Sequence, residues 1–147
     1  MTSQCPLGKA PAKCLTEGMD STLPVSALLF AAALMVKHII CDGPLQTLAM
    51  VREKSRYGRP LGFLHAAIHV AGTFLICLMF GLGLQGAALL AVIDGVLHYH
   101  IDFAKENLVR FKAWTTSDGP YWWAMTTDQA LHHITYLFIT YLAFTRL

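Results

Sequence analysis

Charge is scarce in this chain: only 14% of its 147 residues are Asp, Glu, Lys or Arg, and they nearly cancel to a formal +2. So small an excess, carried in connecting segments rather than along one amphipathic stripe, excludes nucleic acid as a partner. Cysteine is sparse too. Cys41 and Cys77 fall in apolar runs and read as small buried hydrophobes, while Cys5 and Cys14 share a polar, Pro-containing leader and form the one disulfide candidate. No internal repeat of fixed period and no low-complexity tract is present. The leader also lacks a basic region abutting the next apolar run and a small-residue cleavage site, so that run reads as a retained helix rather than a signal peptide. A Ser or Cys nucleophile with a partnered base is missing as well, since Cys41 adjoins Asp42 but lies on another helical face.

Apolar side chains, by contrast, make up 55% of the chain, far from the balance of a soluble domain. Four segments, at about 23–41, 61–80, 84–101 and 121–144, approach the roughly 20 helical residues that cross a hydrocarbon core. The expectation is an all-α, four-helix transmembrane bundle over residues 23–147, preceded by a flexible polar leader at 1–22. Gly81, Gly83 and Gly86 favour a tight turn that makes the second and third segments a hairpin. Short interfacial helices are expected in the charged loops, where Leu45, Leu48, Met50 and Val51 interleave with Gln46, Arg52, Glu53 and Lys54. Phe111, Trp114, Tyr121, Trp122 and Trp123 read as an aromatic belt at the headgroups.

Lys and Arg are unevenly placed. Arg52, Lys54, Arg56 and Arg59 follow the first segment and Lys105, Arg110 and Lys112 the third, against only Lys9, Lys13 and Arg146 on the other side. The positive-inside rule then puts both charged loops in the cytoplasm and both termini outside.

Against this apolar background, His and Asp recur at helical spacing: His38/Asp42, His65/His69, Asp94/His98/Asp102 and Asp128/His132. Residues four apart share a helix face. Ionisable groups at membrane depth are costly, so they normally face a bundle interior, where they pair, bind an ion or do chemistry. Alternating helix directions bring all four sets to one level near the cytoplasmic side. A lone intramembrane His is more often an interhelical hydrogen bond than a ligand, but four coincident sets favour a site. Imidazole and carboxylate together suit a divalent transition metal, Zn, Fe or Mn, and carboxylates can bridge two such ions inside a bundle. The expected ligands are His38, Asp42, His65, His98, Asp102, Asp128 and His132, with Asp102 or Asp128 serving as general base if free. Asp94 reads as an acceptor that holds His98 in one tautomer. Gln46 and Gln129 read as amide bridges between helices, His100 and His133 as bystanders, and Lys37 and Lys105 as snorkelling anchors.

Lys37-His38-Ile39-Ile40-Cys41-Asp42-Gly43-Pro44-Leu45-Gln46, Leu64-His65-Ala66, His98-Tyr99-His100-Ile101-Asp102-Phe103-Ala104-Lys105 and Asp128-Gln129-Ala130-Leu131-His132 occur in that order. The set resembles the small bacterial and phage membrane proteins grouped as domain of unknown function 3307, over about residues 28–144. The resemblance implies a four-helix protein of the bacterial inner membrane with motif positions at His38, Asp42, Gln46, His65, His98, Asp102, Asp128, Gln129 and His132. His69 and Asp94 lie outside that pattern, and no reaction comes with it. The functional expectation is a metal-dependent hydrolase or transferase acting on a membrane lipid or other amphiphile, with metal-activated water as nucleophile. The alternative is a non-enzymatic accessory or assembly subunit of a larger membrane protein complex, in which a His could ligate haem or a pigment. An ion or proton conductor ranks last, because the outer halves of the helices carry no polar path.

Overall fold

The computed structural model describes residues 22–147; the expected Cys5–Cys14 pair lies outside the described residues. Each helix ends where the sequence places a breaker. Helix α1 (Thr22–Asp42) stops before Gly43-Pro44, and the short α2 (Leu48–Lys54) starts at Thr47, whose hydroxyl accepts the Met50 amide at 3.3 Å. Helix α3 (Pro60–Met79) opens on a proline, whose missing N–H is one that a first turn leaves unbonded anyway. It runs out at Gly81, which takes the left-handed φ of +81° needed to turn directly into α4 (Leu84–Phe111). Helix α5 (Gly119–Thr145) completes an all-α fold in which, among the described residues, no strand occurs.

The third apolar segment runs ten residues beyond its expected end. Residues 104–110 contain neither Gly nor Pro and are mostly good helix formers, so nothing stops α4 before Phe111. The second charged loop shrinks to 112–118, made of turns, and only the first loop carries an interfacial-type helix, α2.

Helices α1 and α4 each pack against both α3 and α5, which sets the four long helices at the corners of a square; α2 lies across α3 and α4. The α3–α4 hairpin is the tightest contact, because at Gly95 even a methyl group would come within 2.2 Å of Val70 Cγ2. Phe30, Leu34, Cys77, Ala87, Leu90, Tyr136 and Ile139 fill the end of the bundle nearest the α3–α4 turn. Phe30 meets Phe80 and Phe144 edge-on at 5.1 and 5.7 Å.

Among the described residues three helices, not the expected four, are long and apolar enough to cross a membrane: Leu23–Asp42, Pro60–Met79 and Leu84–Phe111. Helix α5 has the length, at 27 residues, but Thr127, Asp128, Gln129, His132, His133, Thr135 and Thr140 dilute its hydropathy. Most of these face inward, whereas Leu131, Ile134, Leu137, Phe138 and Tyr141 are exposed. The same inversion holds on the other helices. Leu28, Ile39, Leu64, Leu75, Val92 and Val96 point outward, while His, Asp and Lys are buried, the reverse of a water-soluble surface.

Candidate metal centre

The inward faces meet next to the apolar layer, one turn beyond Leu34. Helix α1 contributes Lys37, His38 and Asp42; α3 His65, His69 and Thr73; α4 Asp94, His98 and Asp102; α5 Asp128, His132 and Tyr136. All seven expected ligands come together, along with His69.

The tightest group joins three helices. His65 Nε2 lies 3.0 Å from His98 Nε2 and 3.1 Å from Asp42 Oδ1. His69 Nε2 is 3.0 Å and His98 Nε2 3.7 Å from that same oxygen. These separations bracket the edge of about 3.3 Å expected between ligand atoms of a tetrahedron with bonds of roughly 2.0–2.1 Å. A second group holds Asp102, Asp128 and His132, with His132 Nε2 3.8 Å from Asp102 Oδ1 and 3.7 Å from Asp128 Oδ1. His38, His98 and His132 form a third set whose ring nitrogens also fall within 4.8 Å of one another. Asp102 stands between the groups: its Oδ2 is 3.2 Å from His98 Nε2, and its Oδ1 faces His132. That is the disposition of a bridging carboxylate.

The donor set fits a divalent cation. His132 Nε2 and Asp128 Oδ1 are buried without a hydrogen-bond partner, a costly state for polar atoms held away from water. Asp102 Oδ2 lies 2.8 Å from Lys54 Nζ but off hydrogen-bond alignment. The Nδ1 atoms of His65 and His98 are also unpartnered.

Several neighbours depart from expectation. Lys37 is no surface anchor: it is 7% exposed, and its Nζ reaches Asp94 Oδ2 at 2.7 Å, Thr73 Oγ1 at 3.1 Å and His69 Nδ1 at 3.3 Å. Its stem crosses α3 at Gly72, where a methyl group would meet Lys37 Cγ and Cδ at 2.8 Å. Asp94 accordingly pairs with Lys37, and with Thr73 at 2.5 Å, rather than with His98. Lys54, counted as a loop cation, turns inward onto Asp102, and Lys105 pairs with Glu106 at 2.7 Å. Gln129 does bridge helices, from His38 Nε2 at 3.2 Å to Asp128 Oδ2 at 3.1 Å. Gln46 instead ties α2 to the end of α1, donating to the Asp42 carbonyl at 2.9 Å and accepting from Lys54. His100 and His133 are exposed.

Lys37, Lys54, Thr73 and Tyr136 are the participants that sequence reading passed over. Tyr136 had a signal: it follows His132 by four residues, and its hydroxyl lies 2.9 Å from His38 Nδ1.

A cleft of about 270 Å³, lined by Gln46, Lys54, Lys105 and Gln129 among others, gives access to Asp42, Asp102 and Asp128. Beside it runs an apolar groove of about 610 Å³ between α4 and α5, lined by Leu97, Ile101, Leu108, Trp123 and Leu131. The two cavities share Lys105 and Asp128. Comparison with curated proteins returns no match, and neither does comparison with solved structures. The family described as protein of unknown function (DUF3307) matches residues 29–147, which include every residue of the cluster, and the chain belongs to that family.

Proposed function

We propose that this protein is a metal-dependent membrane hydrolase or transferase acting on an amphiphile at the membrane face that carries α2. The observation that carries the reading is the junction of the two cavities at Asp128 and Lys105. An apolar tail lying in the α4–α5 groove would present its polar head to Asp128, Asp102 and His132 without leaving the lipid. Asp42, His65 and His98 would hold one divalent ion, and Asp102, Asp128 and His132 a second. When bound, such ions supply polarisation of the scissile group and water acidified to near neutrality. Whichever of Asp102 and Asp128 keeps an oxygen free takes the proton from the attacking water. Lys54 and Lys105 set positive charge beside an anionic head group. The apolar layer at the far end of the bundle argues against conduction, since it interrupts any polar path.

The test is metal content and turnover of purified protein in lipid nanodiscs, with a mixed anionic lipid extract as substrate. The expected result is at least one bound transition ion per chain, with turnover abolished by chelation and by Asp102→Asn. Protein free of metal and without turnover would overturn the proposal and leave the accessory-subunit reading ahead.

The working face is cytoplasmic in a bacterial inner membrane. Arg52, Arg56, Arg59, Arg110 and Lys112 remain on that side once Lys54 has turned inward. The start of α1 and the end of α5 share the opposite end of the bundle, where Leu147 comes against Gly86 at the α3–α4 turn, and the termini are assigned to the outer side with it. A cysteine at Arg56 should therefore resist a membrane-impermeant thiol reagent added to intact cells. Labelling from outside would reverse the orientation.

A further inference from the structure

We infer that His38 and His69, although inside the cluster, are positioning residues that each keep a proton on Nε2, His69 donating it to Asp42 and His38 to Gln129, and that the imidazole ligands of the centre are His65, His98 and His132. The ligand half of this inference rests on the metal reading above; the tautomer half stands on hydrogen-bond chemistry alone.

An ammonium group has three N–H donors and no lone pair. Lys37 directs its donors at Asp94 Oδ2, Thr73 Oγ1 and His69 Nδ1. His69 Nδ1 is therefore an acceptor, and the single proton of the neutral ring sits on Nε2, 3.0 Å from Asp42 Oδ1. A nitrogen that carries a proton has no lone pair for a metal.

His38 is locked by a different route to the same result. An ionised carboxylate only accepts, so the Gln129 amide nitrogen must face Asp128, at 3.1 Å, which turns Gln129 Oε1 toward His38 Nε2 at 3.2 Å. A carbonyl oxygen also only accepts, so His38 Nε2 carries the proton, and His38 Nδ1 accepts the Tyr136 hydroxyl at 2.9 Å. That same N–H lies 3.4 Å from Asp42 Oδ2. Asp42 Oδ1 thus accepts the His69 N–H, while the His38 N–H is committed to Gln129 beside Oδ2.

No such lock acts on the other three rings. His65 and His98 have no Nδ1 partner, so in each the proton can move to Nδ1 and leave Nε2 to a metal, although in the metal-free cluster their Nε2 atoms face each other at 3.0 Å and one of them holds a proton; His132 Nε2 has no partner at all. The division decides what kind of centre this is. With His69 as a fourth ligand beside Asp42, His65 and His98, the first ion would be closed off, as in structural sites. With His69 as a donor, three protein ligands remain and one position stays open, as catalytic sites require.

Nitrogen-15 NMR of imidazole-labelled, metal-free protein in bilayers reads the tautomers directly, with His38→Gln and His69→Gln assigning the signals. Both rings should be protonated at Nε2, and Lys37→Met combined with Asp94→Leu, which removes the charge pair together, should release the His69 signal alone. A proton on Nδ1 of either ring overturns the inference. In cobalt-loaded protein, X-ray absorption should count the same number of imidazoles in His38→Gln and His69→Gln as in the wild type, with affinity lowered roughly 10–100-fold. It should count one fewer in His65→Gln. Loss of an imidazole in His69→Gln or His38→Gln would overturn the ligand assignment. Wild type that takes up no cobalt would overturn the proposed function and the ligand half together, and the NMR result would still decide the tautomers.

Discussion

Lys37→Met should destabilise the protein by about 3–5 kcal/mol, the usual consequence of removing one partner from a buried ion pair and leaving the other charge uncompensated. Asp94 is 1% exposed, and of its neighbours only Lys37 carries a positive charge in contact with it, Thr73 supplying a neutral hydrogen bond. The penalty therefore falls on a carboxylate enclosed by α1, α3 and α4, with no route to water. Adding Asp94→Leu should restore most of the loss, because an apolar pair of similar volume carries no desolvation cost. Denaturation in mixed micelles measures both variants. A single variant as stable as the wild type would show that the pair contributes nothing. The cation–π contact of Lys37 with Tyr136, 4.7 Å to the ring centroid, is a smaller part of the same loss.

His98→Ala should remove the part of the chelator response that comes from the ion at Asp42, His65 and His98. His98 is fully buried and central: its ring stacks on His69 at 3.5 Å between centroids and lies 4.2 Å from His132, and its Nε2 faces both Asp42 and Asp102. An ion that binds only the folded state stabilises it by about 4 kcal/mol at a free concentration near 1,000 times its Kd. In the wild type, a chelator should remove that amount and lower Tm by several degrees. In His98→Ala the metal content should fall by that ion, and Tm should start lower and drop less when chelator is added. A variant that keeps all its metal and the full chelator response would place that ion elsewhere.

Much of the centre is legible without coordinates, for a local reason. His38 and Asp42, His98 and Asp102, and Asp128 and His132 are four residues apart, so any helix puts each pair on one face. A short glycine turn between the second and third segments then forces opposite directions. The misjudged partners are those for which depth was right and rotation about the helix axis was not. Asp94 lies one turn from His98, and its carboxylate turns to Lys37 across the bundle. Lys54 was assigned to the headgroups as a loop residue, yet α2 folds back over α3 and α4 and carries it to Asp102. The last helix was expected to qualify as a span in its own right, although its polar residues are tolerable only because α1 and α4 cover them.

The amino-acid sequence by itself determined the all-α class, the level at which its ionisable residues gather and the imidazole–carboxylate character of the site. Periodicity and breakers act within a few residues of chain, and neither needs a neighbour to be read. Only the tertiary structure decided which side chains face each imidazole nitrogen, which carboxylate stands between the two groups and where an apolar groove reaches the polar cleft. Those depend on contacts near 3 Å between side chains 27 to 98 residues apart, such as His69 with Asp42 and Tyr136 with His38, and such contacts are set by how four helices rotate against one another.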